Sequence, residues 1–370
     1  MKIKRLLAIN VPIKNCNLKC KYCYISALNQ SQCGAAKFKY SPKHVGKCLS
    51  IERLGGPCII NLTGGGETLI PKEMPEYIFE LLKQGHCLEV VTNGTLTERF
   101  KRIVSFPKEY LSRLEFKFSF HYLELKRKNW LDKFIENVYL VKNAGCSFTI
   151  ELMPSDEIIN DIPDIINLCQ IKFGAKCHIT VGRNDLTNNL EFLTEYSPKE
   201  YESIWKVFES EMFNFKINIF KQKRKEFCYA GAWSLYIDLG TGNTKQCYGQ
   251  LITQNIFQDP DRKIIFRPVG FHCRQPYCYN GHAFLTVGCI PELETPTYAE
   301  IRNRVTATSE EWLREPIKIA FSQKLKNNNK IWSEKEKKEY EYFYIFRFIK
   351  DIMNDLPEVG FKIKERLRRY

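Results

Sequence analysis

The sequence has 370 residues, 44% of them hydrophobic and 26% charged, which indicates a folded globular protein and excludes a largely disordered one. The apolar residues after the basic N-terminus are interrupted by Asn10, Pro12 and Lys14, which excludes a signal peptide or membrane span there, so we predict a cytoplasmic protein without a membrane partner. The formal net charge of +14 comes from Lys and Arg residues spread among Glu residues, a pattern that excludes a basic tail and favours a solvated surface, although it could also attract anionic partners.

Six short apolar runs in the first half of the chain have the length and composition of β-strands. They cover residues 6–11, 58–62, 88–92, 114–120, 146–153 and 177–181. Amphipathic helical patterns lie between them, the best at residues 44–54, 74–83, 131–143 and 161–171. Each is long enough to cross between parallel strands, so the sequence predicts an α/β fold with a partial (β/α)6 barrel of the TIM type. In such barrels the functional residues directly follow the strands.

A cysteine-rich segment and a helical segment follow the predicted barrel. After a helix predicted over 198–213, residues 228–289 are rich in Cys, Gly and Tyr, which is typical of a small domain held together by metal. Beyond Tyr298 the pattern is helical, and residues 334–352 carry apolar side chains at the spacing of a docking helix. We therefore predict a barrel domain at 1–213, a metal-binding domain at 214–295 and a helical extension at 296–370.

The fifteen cysteines favour metal ligation over disulfides, because no export signal accompanies them. Just after the first predicted strand, Cys16, Cys20 and Cys23 have the spacing C-x3-C-x2-C. Three thiolates can hold three irons of a 4Fe-4S cluster and leave the fourth iron open to another ligand. A zinc site and unrelated core cysteines are the alternatives at this point.

This motif resembles the cysteine motif of the radical S-adenosylmethionine (SAM) superfamily, and the resemblance extends over residues 4–185. It implies a partial radical SAM barrel whose open iron binds the methionine part of SAM. It also implies that an electron from a reductant such as flavodoxin or ferredoxin cleaves SAM to a 5'-deoxyadenosyl radical. The barrel would aim that radical at one hydrogen atom of a substrate.

A glycine-rich segment after the second predicted strand is similar to the family's Gly-Gly-Glu-Pro element, which contacts the amino group of SAM. Gly65, Gly66 and Glu67 match it, and Thr68 stands where the family has Pro. Glycine suits this position because a ligand can approach the backbone closely when no Cβ intervenes. The alternative is an ordinary glycine turn.

Four more residues at predicted strand ends or in the cysteine loop are candidates for the site. Asn93 and Ser119 lie in segments similar to those that line the family's SAM pocket, and both can donate hydrogen bonds to a nucleoside. Tyr22 is similar to the family residue that contacts adenine, with loop packing as the alternative. His121 is a candidate catalytic group facing the substrate, although a single His at a strand end is more often structural.

A second cysteine set begins with Cys228 and Cys247, whose spacing C-x13-G-x4-C indicates a hairpin and resembles the start of a SPASM or twitch domain. Fewer cysteines follow than in a full SPASM domain, so we predict one auxiliary 4Fe-4S cluster held by Cys228, Cys247, Cys273 and Cys278. Cys289 is a spare, an alternative ligand or a catalytic thiol that transfers a hydrogen atom or an electron. Structural zinc is the alternative. The remaining cysteines are interpreted as small core residues: Cys33, Cys48, Cys58, Cys87, Cys146, Cys169 and Cys177.

Three hypotheses about function follow. The first is oxidative modification of a peptide, such as a crosslink, dehydrogenation or epimerisation, which the SPASM-like cysteines and the basic surface favour. Only fifteen residues precede Cys16, which leaves no room for a leader-binding module and weakens this hypothesis. The second is a twitch-type dehydrogenase or epimerase of a carbohydrate or other small metabolite. The third is a metal-binding protein that contacts nucleic acid without catalysis, which the absence of a recognisable nucleic-acid motif disfavours.

Overall fold

The structure is a computed structural model. It describes residues 1–23, 34–184, 191–278, 281–357 and 359–360. Cys33, which the sequence analysis assigns to the core, lies outside the described residues.

Six parallel strands form an open barrel sheet in the order β6-β5-β4-β3-β2-β1, which confirms the predicted partial (β/α)6 barrel. The strands are β1 (Arg5–Val11), β2 (Cys58–Gly64), β3 (Cys87–Thr92), β4 (Leu114–Phe120), β5 (Ser147–Leu152) and β6 (His178–Ile179). Because all six run in the same direction, their carboxyl ends lie along one edge of the sheet.

The sheet continues on the other side of β1 into the cysteine-rich segment. Strand β7 (Ser234–Asp238) pairs parallel with β1, and the short strands β8 (Asn243–Lys245) and β9 (Ile252–Asn255) follow in antiparallel pairing. The predicted hairpin is therefore the β7–β8 pair. Its turn requires Gly242, whose φ is +79° and whose position has no room for a Cβ beside Phe257.

Helices cover the outer face of the barrel and continue through the C-terminal half. Two predicted helices, 74–83 and 131–143, have the bounds that the structure shows. The predicted helix 44–54 is instead two helices, because Ser50 caps a new helix by accepting a hydrogen bond from the Arg53 amide. The helices are α1 (Pro42–Cys48), α2 (Ile51–Leu54), α3 (Met74–Lys83), α4 (Thr97–Val104), α5 (Lys108–Leu111), α6 (Tyr122–Arg127), α7 (Leu131–Asn143), α8 (Ile162–Phe173), α9 (Pro198–Trp205), α10 (Glu211–Ile219), α11 (Gly281–Phe284), α12 (Ile317–Phe321), α13 (Glu334–Tyr342) and α14 (Tyr344–Asn354).

Two hydrophobic cores lie on the two faces of the sheet. Strand β1 illustrates the division: Leu7 and Ile9 pack into the core beneath the helices, whereas Leu6 and Ala8 face inward and pack against the cysteine-rich segment. Side chains of the cysteine-rich segment, such as Tyr229, therefore pack on the inner face of the barrel, and the segment shares this second core with the barrel strands. The six described core cysteines are buried, as predicted: Cys48, Cys58, Cys87, Cys146, Cys169 and Cys177.

The C-terminal extension contains the predicted amphipathic segment, divided into α13 and α14 at Phe343. Much of its apolar face does not pack on the protein: Tyr342, Phe346 and Met353 are exposed. The opposite face holds the helix in place through Asp351, which pairs with Arg267. No helix in the described part of the chain is long and apolar enough to span a membrane.

Candidate functional site

A cavity lies at the carboxyl ends of the barrel strands, and all the residues predicted to bind the first cluster and SAM line it. The loop after β1 contributes the three cysteines and Tyr22. The ends of β2, β3 and β4 contribute the remainder. The predicted residues brought together here are Cys16, Cys20, Tyr22, Cys23, Gly65, Gly66, Glu67, Asn93, Ser119 and His121.

Hydrogen bonds hold the cysteine loop in place. The Sγ of Cys16 accepts from the Leu18 amide at 3.5 Å and from the Asn93 side-chain amide at 3.7 Å. The Cys23 amide donates to the Cys20 carbonyl at 3.1 Å, which curls the loop so that the thiols face one cavity. Burial raises the pKa of Cys16 to about 11 and that of Cys20 to about 12, so these thiols are protonated until a metal displaces the protons.

The glycine-rich segment packs directly against the start of the cysteine loop. The Gly66 amide donates to the Ile13 carbonyl at 2.8 Å, and the Glu67 amide donates to the Asn15 carbonyl at 2.9 Å. A Cβ on Gly66 would stand 2.0 Å from the Asn15 carbonyl oxygen, a distance that no side chain tolerates. Glycine is therefore required here to join the ends of β1 and β2, and the same contact leaves the backbone of the segment facing the cavity.

The carboxylate of Glu67 is used within the protein. It accepts hydrogen bonds from the Asn93 amide at 2.6 Å, the Leu69 amide at 2.9 Å and the Thr92 hydroxyl at 2.7 Å. Burial raises the pKa of Glu67, while these three donors oppose that shift. Glu67 therefore fixes the end of β3 relative to the end of β2. A ligand beside the glycine-rich segment would contact its backbone and its glycines and not this carboxylate.

Asn93 has a comparable positioning role. Its side-chain amide donates to Asn17 at 2.7 Å, and its side-chain oxygen accepts from the Thr95 hydroxyl at 2.7 Å. These bonds connect the end of β3 to the cysteine loop. Ser119, by contrast, is half-buried at the end of β4 with its side chain on the cavity.

Tyr22 and His121 form a pair on one side of the cavity. The Tyr22 hydroxyl lies 2.5 Å from His121 Nδ1, and the ring centroids are 5.9 Å apart in a stacked arrangement. Burial lowers the pKa of His121 to about 4, so the ring is neutral near pH 7. The contact gives His121 a structural role in orienting Tyr22, and both rings remain on the cavity wall.

The inner wall of the cavity holds polar residues that the sequence analysis did not single out. Glu151 at the end of β5 and Thr180 and Arg183 beyond β6 line it. Glu151 pairs with Lys117 at 3.0 Å and with Arg302 at 2.6 Å. The sequence contained a signal for Glu151, which lies between two apolar residues of a predicted strand. A charged residue that alternates with core residues along a barrel strand points into the barrel.

The second cysteine set also converges on one cavity. The five thiols come from the segment before β7, the segment after β8 and the loops that follow. Backbone hydrogen bonds of 3.1 and 3.0 Å between Cys228 and Gly270 hold the segment together, and Cys289 is fully buried with its thiol 3.7 Å from the Ser234 hydroxyl. The cysteines lining this cavity are Cys228, Cys247, Cys273, Cys278 and Cys289.

Burial and the neighbouring thiols raise the pKa of four of these cysteines. The pKa of Cys247 and of Cys289 rises to about 12, and the pKa of Cys228 and of Cys278 is raised well above its usual range. A group of thiols that suppress one another's ionisation in this way is stabilised when a metal replaces their protons.

Each thiol set supplies at least three cysteines to one cavity, which is the number that a 4Fe-4S cluster needs. Among the described residues, no three Cys, His, Asp or Glu side chains converge closely enough to hold one metal ion.

The structure therefore combines an open parallel barrel with three thiols on the loop after its first strand, and these thiols face a cavity at the carboxyl edge of the sheet. Residues 10–169 match the family model described as the Radical SAM superfamily. This part of the chain is therefore a radical SAM domain, which confirms the resemblance seen in the sequence. No curated protein matches the chain.

Solved structures with a similar fold include SuiB of Streptococcus suis, at 14% identity and a TM-score of 0.47 over 70% of this chain. This chain spans 64% of the length of SuiB. The anSMEcpe protein with bound AdoMet and Cp18Cys peptide matches at 14% identity and a TM-score of 0.44, covering 92% of this chain and 98% of that one. BtrN in complex with AdoMet and 2-DOIA matches at 13% identity and a TM-score of 0.38, covering 70% and 80% of the two chains. At these identities and scores the similarity does not extend to function.

Proposed function

We propose that the chain is a radical SAM enzyme that abstracts a hydrogen atom from a peptide and thereby modifies it oxidatively. A 4Fe-4S cluster with SAM supplies a 5'-deoxyadenosyl radical when an external reductant, such as flavodoxin or ferredoxin, provides an electron. The residues of the chain hold these groups, orient them and keep water from the reacting centre. Cys16, Cys20 and Cys23 would ligate the cluster.

The observation that carries this proposal is the convergence of the three-cysteine loop and the glycine-rich segment on one cavity of a radical SAM domain. Gly66 and Glu67 join that loop to the ends of β2 and β3. Such connections make the position of a bound SAM rigid relative to the barrel, which a reaction at one C–H bond requires. A purely structural metal site would need no cavity beside it.

The second thiol set would hold an auxiliary 4Fe-4S cluster, with Cys228, Cys247, Cys273 and Cys278 as ligands. Cys289 would remain as a buried thiol beside it. An auxiliary cluster could accept an electron from a substrate radical, which favours net oxidation of the substrate. The SPASM-like spacing C-x13-G-x4-C and the positive charge of the chain favour a peptide substrate.

A carbohydrate or other small metabolite is the second candidate substrate. The specific observation in its favour is that the five thiols of the second cavity can saturate only one cluster, as in a twitch-type domain.

The first experiment measures iron, sulfide and the electron paramagnetic resonance spectrum of anaerobically purified protein. The wild type should contain about eight irons, and the triple variant Cys16→Ala/Cys20→Ala/Cys23→Ala should contain about four. A control triple variant at core cysteines, Cys48→Ala/Cys87→Ala/Cys146→Ala, should keep the wild-type content. Zinc without iron in the wild type would overturn the proposal and favour the non-catalytic hypothesis.

The second experiment follows formation of 5'-deoxyadenosine with a chemical reductant. The wild type should cleave SAM, and the triple variant at the first cysteine set should not. The variant Cys228→Ala/Cys247→Ala should still cleave SAM, because its first site is intact. Stimulation of cleavage by peptides, compared with sugars and nucleotide sugars, would then discriminate between the two substrate classes.

A further inference from the structure

The last two helices, α13 and α14, turn a row of large apolar side chains towards solvent. Within α14 the exposed apolar residues are Ile345, Phe346, Ile349 and Met353, and Phe346 is 72% and Met353 70% exposed. Because each residue turns an α-helix by about 100°, these four side chains fall within an arc of about 100° on one side of α14. The row continues before and after α14, and we call it the apolar stripe: Tyr342, Phe343, Ile345, Phe346, Ile349, Met353 and Leu356.

The opposite side of α14 holds the helix on the protein. Asp351 lies two residues beyond Ile349, and therefore on the other side of the helix, where it is buried and pairs with Arg267. The Tyr344 hydroxyl accepts a hydrogen bond from Arg274 at 2.9 Å. Rotating α14 to bury the apolar stripe would break these contacts, so in a single chain the stripe is held facing solvent.

The apolar stripe is too large for an ordinary part of a monomer surface. Its seven residues together expose roughly 900 Å², given the accessible areas of side chains of these types. Contiguous apolar patches on monomers usually reach only about 300–600 Å², whereas a standard dimer interface buries about 800 Å² on each partner. The area of the stripe therefore matches one protein interface.

The order of side chains along the stripe suits a second copy of the same stripe. All its aromatic residues precede Ile349, whereas Met353 and Leu356 follow it. If two copies lie antiparallel with Ile349 opposite Ile349, Tyr342 of each copy faces Leu356 of the other, and Phe346 lies beside Met353. Large rings then meet smaller side chains along the whole contact, and the thioether sulfur meets an aromatic ring, which is a favourable contact.

We propose that the protein forms a homodimer in which the apolar stripes of two copies pack antiparallel about a two-fold axis at Ile349. Such an axis uses the same surface on both copies, so the assembly closes at two subunits. The stripe contains no charged side chain, so pairing buries no uncompensated charge within it. This inference goes beyond the proposed function, because no residue of the stripe lines either thiol cavity.

The first test is sedimentation equilibrium of the full, anaerobically purified chain. The wild type should show a monomer–dimer equilibrium, with the dimer predominant above about 10 µM. A wild type that stays monomeric at about 100 µM would overturn the proposal.

The second test uses the position of Ile349 on the two-fold axis. Ile349→Glu and Ile349→Lys each place two like charges opposite one another, so each variant should dimerise at least about a hundredfold more weakly than the wild type. An equimolar mixture of the two variants should form a heterodimer, since one Glu then faces one Lys. If the mixture stays monomeric, Ile349 is not at a two-fold axis and the proposed packing is wrong.

The matched control is Ile171→Glu, which makes the same substitution at another exposed isoleucine, on α8 and outside the stripe. This variant should dimerise as the wild type does. Circular dichroism should be unchanged in all three variants, because the replaced side chains are exposed in the single chain. Equal weakening in Ile171→Glu and Ile349→Glu, or none in either, would show that the interface is not the stripe.

Two other occupants of the stripe would give different results. A chain that ends at Gly360 lacks residues 361–370, which lie outside the described residues; if it dimerises and the wild type does not, this segment covers the stripe. If the wild type sediments as a monomer with phosphatidylglycerol vesicles and Ile349→Glu does not, the stripe binds a membrane surface. Either result would overturn the homodimer.

The homodimer and the proposed function can fail separately. Ile349→Glu should keep the iron content and the SAM cleavage of the wild type, because the stripe is not part of either cavity. A dimer that contains no iron would leave the interface standing and remove the proposed function. A monomer that cleaves SAM would do the reverse.

Discussion

Single residues at the strand ends determine where the cysteine loop lies. Gly66 allows the backbone after β2 to touch the backbone after β1, and Glu67 then connects this contact to the end of β3 through the Asn93 amide. Gly66 has no side chain, and the Glu67 carboxylate accepts three hydrogen bonds from within the protein. Their effect on chemistry would be indirect, through the position of the thiols, and a substitution at Gly66 should reveal it.

Gly66→Ala should prevent assembly of the first cluster without unfolding the protein. The added Cβ would stand 2.0 Å from a backbone oxygen of Asn15, so the cysteine loop must move. The expected result is a loss of about four irons per chain and of SAM cleavage. Iron analysis and formation of 5'-deoxyadenosine would measure these two effects, and circular dichroism would show that the protein remains folded.

Gly34→Ala is the matched control, because its Cβ would meet nothing within 4 Å, and it should keep the full iron content. Normal iron content in Gly66→Ala would contradict the role given to this contact.

At the scale of elements, the C-terminal segment after Tyr298 closes the amino-terminal end of the barrel. The Tyr298 hydroxyl donates to Glu89 of β3 at 2.5 Å, and Arg302 lies between Glu89 and Glu151. Farther along, the Trp312 carbonyl accepts a hydrogen bond from Phe148 at the start of β5. The extension is therefore part of the barrel interior, and its contribution to stability can be measured.

Arg302→Leu should destabilise the protein by about 3–5 kcal/mol, because it removes the cation paired with the buried Glu89 carboxylate and leaves Glu151 with Lys117 alone. Chemical denaturation would give the free energy of unfolding. Arg314→Leu removes an arginine at the surface whose ion pair with Glu310 is half-exposed, and it should cost at most about 1 kcal/mol. Equal effects of the two substitutions would show that the segment does not stabilise the barrel interior.

For the molecule as a whole, buried neutral histidines make folding sensitive to acid. His86 accepts from the Cys58 amide at 3.1 Å and lies 2.7 Å from the Leu49 carbonyl, and burial lowers its pKa to about 4. Burial also lowers the pKa of His178 and of His282. Each of these rings binds a proton more readily in the unfolded chain, so stability that is fully present above pH 6.5 is lost as the pH falls.

The free energy of unfolding should therefore decrease between pH 6.5 and about 4, by on the order of 3 kcal/mol from His86 alone. His86→Gln should be less stable than the wild type at pH 7 but should show a shallower decline over this range. Urea denaturation at several pH values measures both slopes. Comparing the slopes isolates His86, since acid effects on all other groups are common to both proteins. Parallel curves would mean that the pKa of His86 is the same in the folded and the unfolded chain.

The sequence by itself determined the features that depend on neighbouring residues. The spacing of Cys16, Cys20 and Cys23 constrains three thiols to one loop, and the strong periodicity of 74–83 and 131–143 was enough to give those helices with the bounds observed. Short helices such as α4 and α6 were not predicted, because one or two helical turns contain too few residues to show a hydrophobic period. Such short helices are stable only when they pack against the barrel.

Only the tertiary structure decided which distant elements meet. The pairing of β7 with β1 joins residues more than two hundred positions apart, and no local pattern specifies it. The inner wall likewise brings Glu151 at the end of β5 together with Thr180 and Arg183 from the segment after β6. The physical reason is that hydrophobic burial drives association without direction along the chain, so the residues that share a cavity are selected by how whole elements pack.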